Sequence, residues 1–220
     1  MEIFSVLKFT FKKYYEHLFK LVFVGLSWFI LTSILLFVGF FALSTGAYPF
    51  LILPIVLIGP LLLTGLEAVH LVINQESAGF KKLISYFKSK FWRGFLVFLV
   101  TALIYLIFIV DLRFFLVRGQ ENTWLLAFAF LFAYLVIYFS IYQAYLWGLL
   151  IVQSEQSIKN ILKNALVISL DNLLFSLLWL LALVILAGLL IVTGIGLPLA
   201  FMGILGILLI KGCQEMLAKY

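Results

Sequence analysis

Six long apolar stretches set the terms on which this chain can fold. They run at about 18–43, 48–73, 95–116, 124–152, 172–193 and 197–211. A helix needs ~20 largely apolar residues to cross the hydrocarbon core of a bilayer, so five stretches are long enough and the sixth is nearly so. Hydrophobic residues make up 66% of the 220 positions and charged residues 11%. A water-facing surface cannot be built from that supply. In lipid, each backbone N–H and C=O must find its partner within the protein, and stretches of this length do so as helices. The expectation is an all-α polytopic membrane protein, one integral domain over residues 1–220 forming a six-transmembrane-helix bundle. The first stretch exceeds the ~7–15-residue core of a secretory signal, so it reads as a retained span.

The punctuation between stretches is glycine and proline. Ser44-Thr-Gly46 makes a short turn, and Thr193-Gly-Ile-Gly-Leu-Pro198 divides the last apolar block into two spans. Pro54 and Pro60 fall inside the second stretch and predict a bend or a late start. The fourth stretch is long enough to tilt, and a re-entrant sixth segment competes with a full crossing.

Three segments are amphipathic instead of uniformly apolar. In 79–93, Phe80, Leu83, Ile84, Phe87 and Phe91 recur at the spacing of one helical face, with Lys81, Lys82, Lys88 and two serines on the other. In 157–168, Ile158, Ile161, Leu162 and Ala165 oppose Lys159, Asn160, Lys163 and Asn164. Residues 2–17 place Ile3, Leu7, Phe11 and Tyr14 together. Each reads as a helix lying in the membrane interface; the alternative is a plain extension of the neighbouring span.

With six spans and a cytoplasmic N-terminus, thirteen of the fifteen Lys and Arg residues fall on one side. Only Arg113 and Arg118 fall on the other. The positive-inside bias then puts both termini in the cytoplasm. The formal net charge of +6 matches anionic lipid headgroups better than nucleic acid, because the bases are scattered between apolar runs.

Little in the sequence carries chemistry. Glu67 and His70, one turn apart, are the ionisable pair nearest a span interior and by position the first functional candidates. A bundle-type metal site would need more carboxylates and a second Glu-x-x-His; His17 is the only other histidine, so no metal site is expected. Tyr134, Tyr138 and Tyr145 share a helical face near Gln143, a pattern suited to a sugar-stacking surface and more often to bundle packing. Asp171-Asn172 suits a helix N-terminus. Gly196, Ala200, Gly203 and Gly206 permit close helix packing, within the chain or in a homo-oligomer. No phosphate loop, nucleotide motif or nucleophile–base pair is present, which argues against an enzyme and against a cofactor. One cysteine, Cys213, excludes an internal disulfide. The candidate contacts for a partner or lipid are therefore Lys81, Lys82, Lys88, Lys90, Arg93, Lys159 and Lys163. The candidate polar intramembrane residues are Glu67, His70, Tyr138 and Gln143.

The order of these segments resembles the YesL-like family of bacterial membrane proteins, a domain of unknown function. The likeness rests on Pro54-Ile-Val-Leu-Ile-Gly-Pro60, on the basic 80–93 segment leading to a span that ends Asp111-Leu-Arg-Phe-Phe115, and on Leu162-Lys-Asn-Ala-Leu166 before the fifth span. The resemblance implies a bacterial cytoplasmic-membrane protein acting as a non-enzymatic accessory to a carbohydrate ABC importer. Two other classes fit the same residues. One is a substrate-binding transporter subunit with a pocket around Tyr138, Gln143 and Glu67. The other is a lipid-interacting or assembly factor.

Overall fold

A computed structural model describes residues 3–76, 79–120 and 122–219. The first residue of the expected 2–17 helix and Glu121 of the polar 118–122 loop lie outside them. The described residues form eight α-helices: α1 (Ile3–Glu16), α2 (Leu18–Thr45), α3 (Ile52–Ile73), α4 (Phe80–Arg118), α5 (Trp124–Val152), α6 (Ile158–Asp171), α7 (Leu173–Val192) and α8 (Met202–Leu217). Six segments are long and apolar enough to cross a membrane: α2, Tyr48–Ile73, α4, α5, α7 and Leu197–Leu217. The protein is an all-α, multi-pass membrane bundle.

The breaks fall where residue chemistry places them. Gly46 ends α2 at φ 74°, and Gly194 turns the chain after α7 at φ 66°. Both are left-handed conformations that cost a side-chain-bearing residue more. Tyr48–Leu51 is a 3₁₀ turn and α3 begins at Ile52, so the second span, Tyr48–Ile73, opens in 3₁₀ geometry and does not start late. Pro54 sits in the first turn, where its missing N–H costs nothing. Pro60 lies inside α3, and the Thr64 hydroxyl donates to its carbonyl at 2.8 Å. Pro198 opens a π-helical turn, Leu197–Phe201, which feeds α8.

α8 is the centre of the bundle. It packs against α1, α2, α3, α5 and α7, and Ile207, Leu208, Ile210, Cys213 and Met216 are fully buried. Trp179 of α7 packs at a tilt against the Tyr145 ring, centroids 4.6 Å apart, and donates from Nε1 to the Leu208 carbonyl at 3.2 Å. Gly203 and Gly206 meet Tyr14, Leu21 and Val69, so these small residues serve packing within the chain. By contrast α2 is apolar on all sides and exposes Phe19, Phe23, Ile34, Phe37 and Phe40, as a lipid-facing helix does.

Two expectations need correction. The 79–93 segment is no separate interfacial helix, because it runs unbroken into the third span as the first part of the 39-residue α4. Gly94, the one residue that invites a break, stays helical because it is where α3 and α4 cross. A methyl group on it would lie 2.9 Å from Pro60 Cα, and one on Gly59 would strike the Gly94 carbonyl and Phe98. The inward face of α1 also differs, being centred on Val6 and Thr10, while Phe11 is 47% exposed. Thr10 is tolerated there because its hydroxyl donates back to the Val6 carbonyl at 2.8 Å. The separate helix near 157 does form, extended to Asp171, with Ser157 accepting from the Asn160 N–H at 3.3 Å as its N-cap.

Candidate functional site

The helical hairpin α3–α4 brings the sequence's charges to one end of the molecule. Because the two helices cross at Gly59 and Gly94, the basic part of α4 lies beside the Pro60-to-Ile73 part of α3. The hairpin is tied at its turn by Glu76, whose carboxylate accepts from Lys82 at 2.6 Å. That bond holds the Glu76 carboxyl below the usual carboxylate range.

Two of the predicted contact residues have an internal task. Arg93 donates from one guanidinium nitrogen to the Ser154 carbonyl at 2.6 Å and from the other to the Gln156 carbonyl at 2.8 Å. Lys90 donates to the same Ser154 carbonyl at 3.0 Å and pairs with Glu155 at 3.7 Å. These carbonyls follow the C-terminus of α5, where helical acceptors run out of N–H partners and cations are favoured. The result is a clasp. It fixes the 153–157 turn, and with it the start of α6, to the basic part of α4. A neighbouring bond, Asn164 to Gln153 at 3.0 Å, holds the first turns of α6 against α5.

The other bases are differently placed. Lys81, Lys88, Lys159 and Lys163 are exposed, and Lys82 is engaged with Glu76. Four lysines on two clasped helices therefore face outward. Leu162, Leu166, Val167 and Leu170 are exposed on α6 alongside its lysines, an arrangement suited to a membrane surface or an apolar partner.

The intramembrane candidates do not converge. Gln143 is buried and accepts from the Thr101 hydroxyl at 3.0 Å, pinning α5 to α4. Tyr138 bonds Ser169 of α6 at 3.1 Å, and Tyr145 bonds Ser176 of α7 at 2.9 Å. Gln143, Tyr138 and Tyr145 are thus matched to hydroxyls on three different neighbours, α4, α6 and α7. Such matching satisfies buried polarity and locks helix positions. Tyr134 is 57% exposed and stacks on Tyr138. Glu67 and His70 lie on α3, 3.9 Å apart, with His70 Nε2 bonded to the Asn74 amide at 3.0 Å. Among the described residues no cluster of three or more His, Cys, Asp or Glu is arranged to hold a metal. Asn172 stands at the N-cap of α7 without a side-chain cap bond; it and Asp171 accept from Lys219, at 2.9 and 3.1 Å, joining the end of α8 to the α6–α7 bend.

One feature gave no signal in the sequence. An apolar groove of about 1030 Å³ lies between α2, α3 and the start of α4. Beyond Lys20 near its start, α2 carries no charge and is apolar on every face, so nothing in its pattern separates a groove wall from an outer face.

No known family model matches this chain, and no curated protein or solved structure was found to resemble it.

Proposed function

We propose that this multi-pass membrane protein works by binding, as a non-enzymatic accessory subunit of a bacterial carbohydrate ABC import system. It would sit in the cytoplasmic membrane with both termini inside. The observation that carries the binding role is the clasp. Lys90 and Arg93 spend their charge internally, and so hold Lys81, Lys88, Lys159 and Lys163 outward in one fixed arrangement. A surface set in advance loses less entropy when a partner docks. The importer as partner rests on the resemblance to YesL-like proteins, and the orientation rests on the thirteen-to-two distribution of bases.

Affinity purification from native membranes in a mild detergent tests this reading. Importer subunits should be recovered with the wild-type protein and lost when the four exposed lysines are changed to glutamate. Recovery without any transporter subunit overturns it. The reading as a substrate-binding subunit has less support, since Tyr138 and Gln143 are each committed to a hydroxyl on a separate helix.

A further inference from the structure

We propose that the groove between α2, α3 and α4 is a binding site for an anionic glycerophospholipid, which enters with its acyl chains along the apolar walls and its phosphate at the basic end. On the α2 side the walls run from Phe19 to Leu35, seventeen residues, or about 24 Å of helix. That is most of the thickness of a hydrocarbon core. Their interior is formed by residues such as Val24, Leu31, Leu61, Ala68 and Ile84. A groove of about 1030 Å³ is at the upper end of what small-ligand sites occupy.

Charge complementarity selects the occupant. The groove's charged lining is confined to one end, Lys20 on α2 and Glu76 after α3. Glu76 is neutralised by Lys82 at 2.6 Å, whereas Lys20 makes no ion pair among the described residues. The mouth therefore carries one uncompensated positive charge directly above an apolar trough. A lipid with a phosphate-borne net negative charge answers both features. A zwitterionic lipid answers only the trough. An apolar helix from a partner or from a second copy would fill the trough and leave Lys20 unanswered. This site is separate from the four exposed lysines of α4 and α6, so it stands or falls independently of the importer reading.

The test uses the full-length protein, delipidated in detergent and offered an equimolar mixture of phosphatidylglycerol and phosphatidylcholine, with bound lipid read by native mass spectrometry. The expected result is one retained lipid per chain with about fivefold preference for phosphatidylglycerol, the factor one surface base contributes toward anionic lipid. Lys20→Glu, an exposed change at the rim, should abolish the preference while leaving lipid bound. Leu31→Trp, made on a groove wall that is half exposed, should reduce retention of both lipids. The proposal is overturned if no lipid is retained, or if Lys20→Glu leaves the preference intact. Retention that is indifferent to Leu31→Trp also overturns it, as does a dimer or a bound helix in place of lipid.

Discussion

Replacing Arg93 by methionine isolates the clasp. Methionine keeps an unbranched apolar stem and removes every donor of the guanidinium. Two bonds disappear, to Ser154 at 2.6 Å and to Gln156 at 2.8 Å. A hydrogen bond from a charged donor contributes about 1.5–3 kcal/mol net. The Ser154 carbonyl keeps Lys90 at 3.0 Å, and the Gln156 carbonyl is at an exposed position where water substitutes for the lost donor. The loss is thus nearer one bond than two, about 1.5–3 kcal/mol, or roughly a 10- to 100-fold rise in the local opening equilibrium. Amide hydrogen exchange in detergent, read by mass spectrometry, reports that equilibrium. The amides of Gln156 and Ile161, bonded to Gln153 and Ser157 at 2.9 and 3.1 Å, should exchange faster by that factor. Peptides from the buried part of α8 serve as the reference and should not change. Arg93→Lys, with one donor head in place of a fork, should fall between. If residues 153–161 exchange alike in wild type and Arg93→Met, the clasp does not hold the turn and the reasoning fails.

Two further outcomes follow from the same contacts. Gly59→Ala should lower thermal stability by about 1–3 kcal/mol, the cost of overpacking where backbone meets backbone, whereas Gly188→Ala, with open space around it, should cost nothing; melting followed by circular dichroism separates the two. The Glu76–Lys82 bond has a carboxyl held below its ordinary range, so its contribution is full above the unfolded value near 4.3 and is lost as pH falls through the lower folded value. Exchange at the flanking amides of the α3–α4 hairpin should therefore be unaffected by that group from pH 7 to about 5. It should loosen only below about 4, and Glu76→Gln should remove that acid step.

The sequence is most legible where a residue type has one physical consequence. Gly46 and Gly194 mark turns and Pro54 stands in the first turn of its helix, each where the chain says it should. The continuity of α4 is not legible in that way. Its amphipathic and apolar parts share the same 3.6-residue period, and a glycine between them reads as a break until Gly59 and Pro60 are seen opposite it. The division of the bases is hidden for a related reason. At 100° per residue Lys90 and Arg93 share one side of the helix and Lys88 falls on another, but only contacts 61 to 64 residues away show which side is committed and which is exposed. Tyr138 and Gln143 suggest a pocket because their hydroxyl partners, Ser169 and Thr101, are unremarkable residues in other helices.

Orientation is the claim on which the binding surface depends, and cysteine labelling in intact cells reaches it directly. Cys213, the native thiol, is fully buried, so the wild-type protein supplies a blank background. Lys88→Cys and Asn122→Cys, placed at opposite ends of α4 and its following loop, are each exposed to a membrane-impermeant maleimide. Asn122→Cys should be labelled in intact cells and Lys88→Cys only after permeabilisation. Labelling of Lys88→Cys in intact cells would place the basic face outside and contradict it.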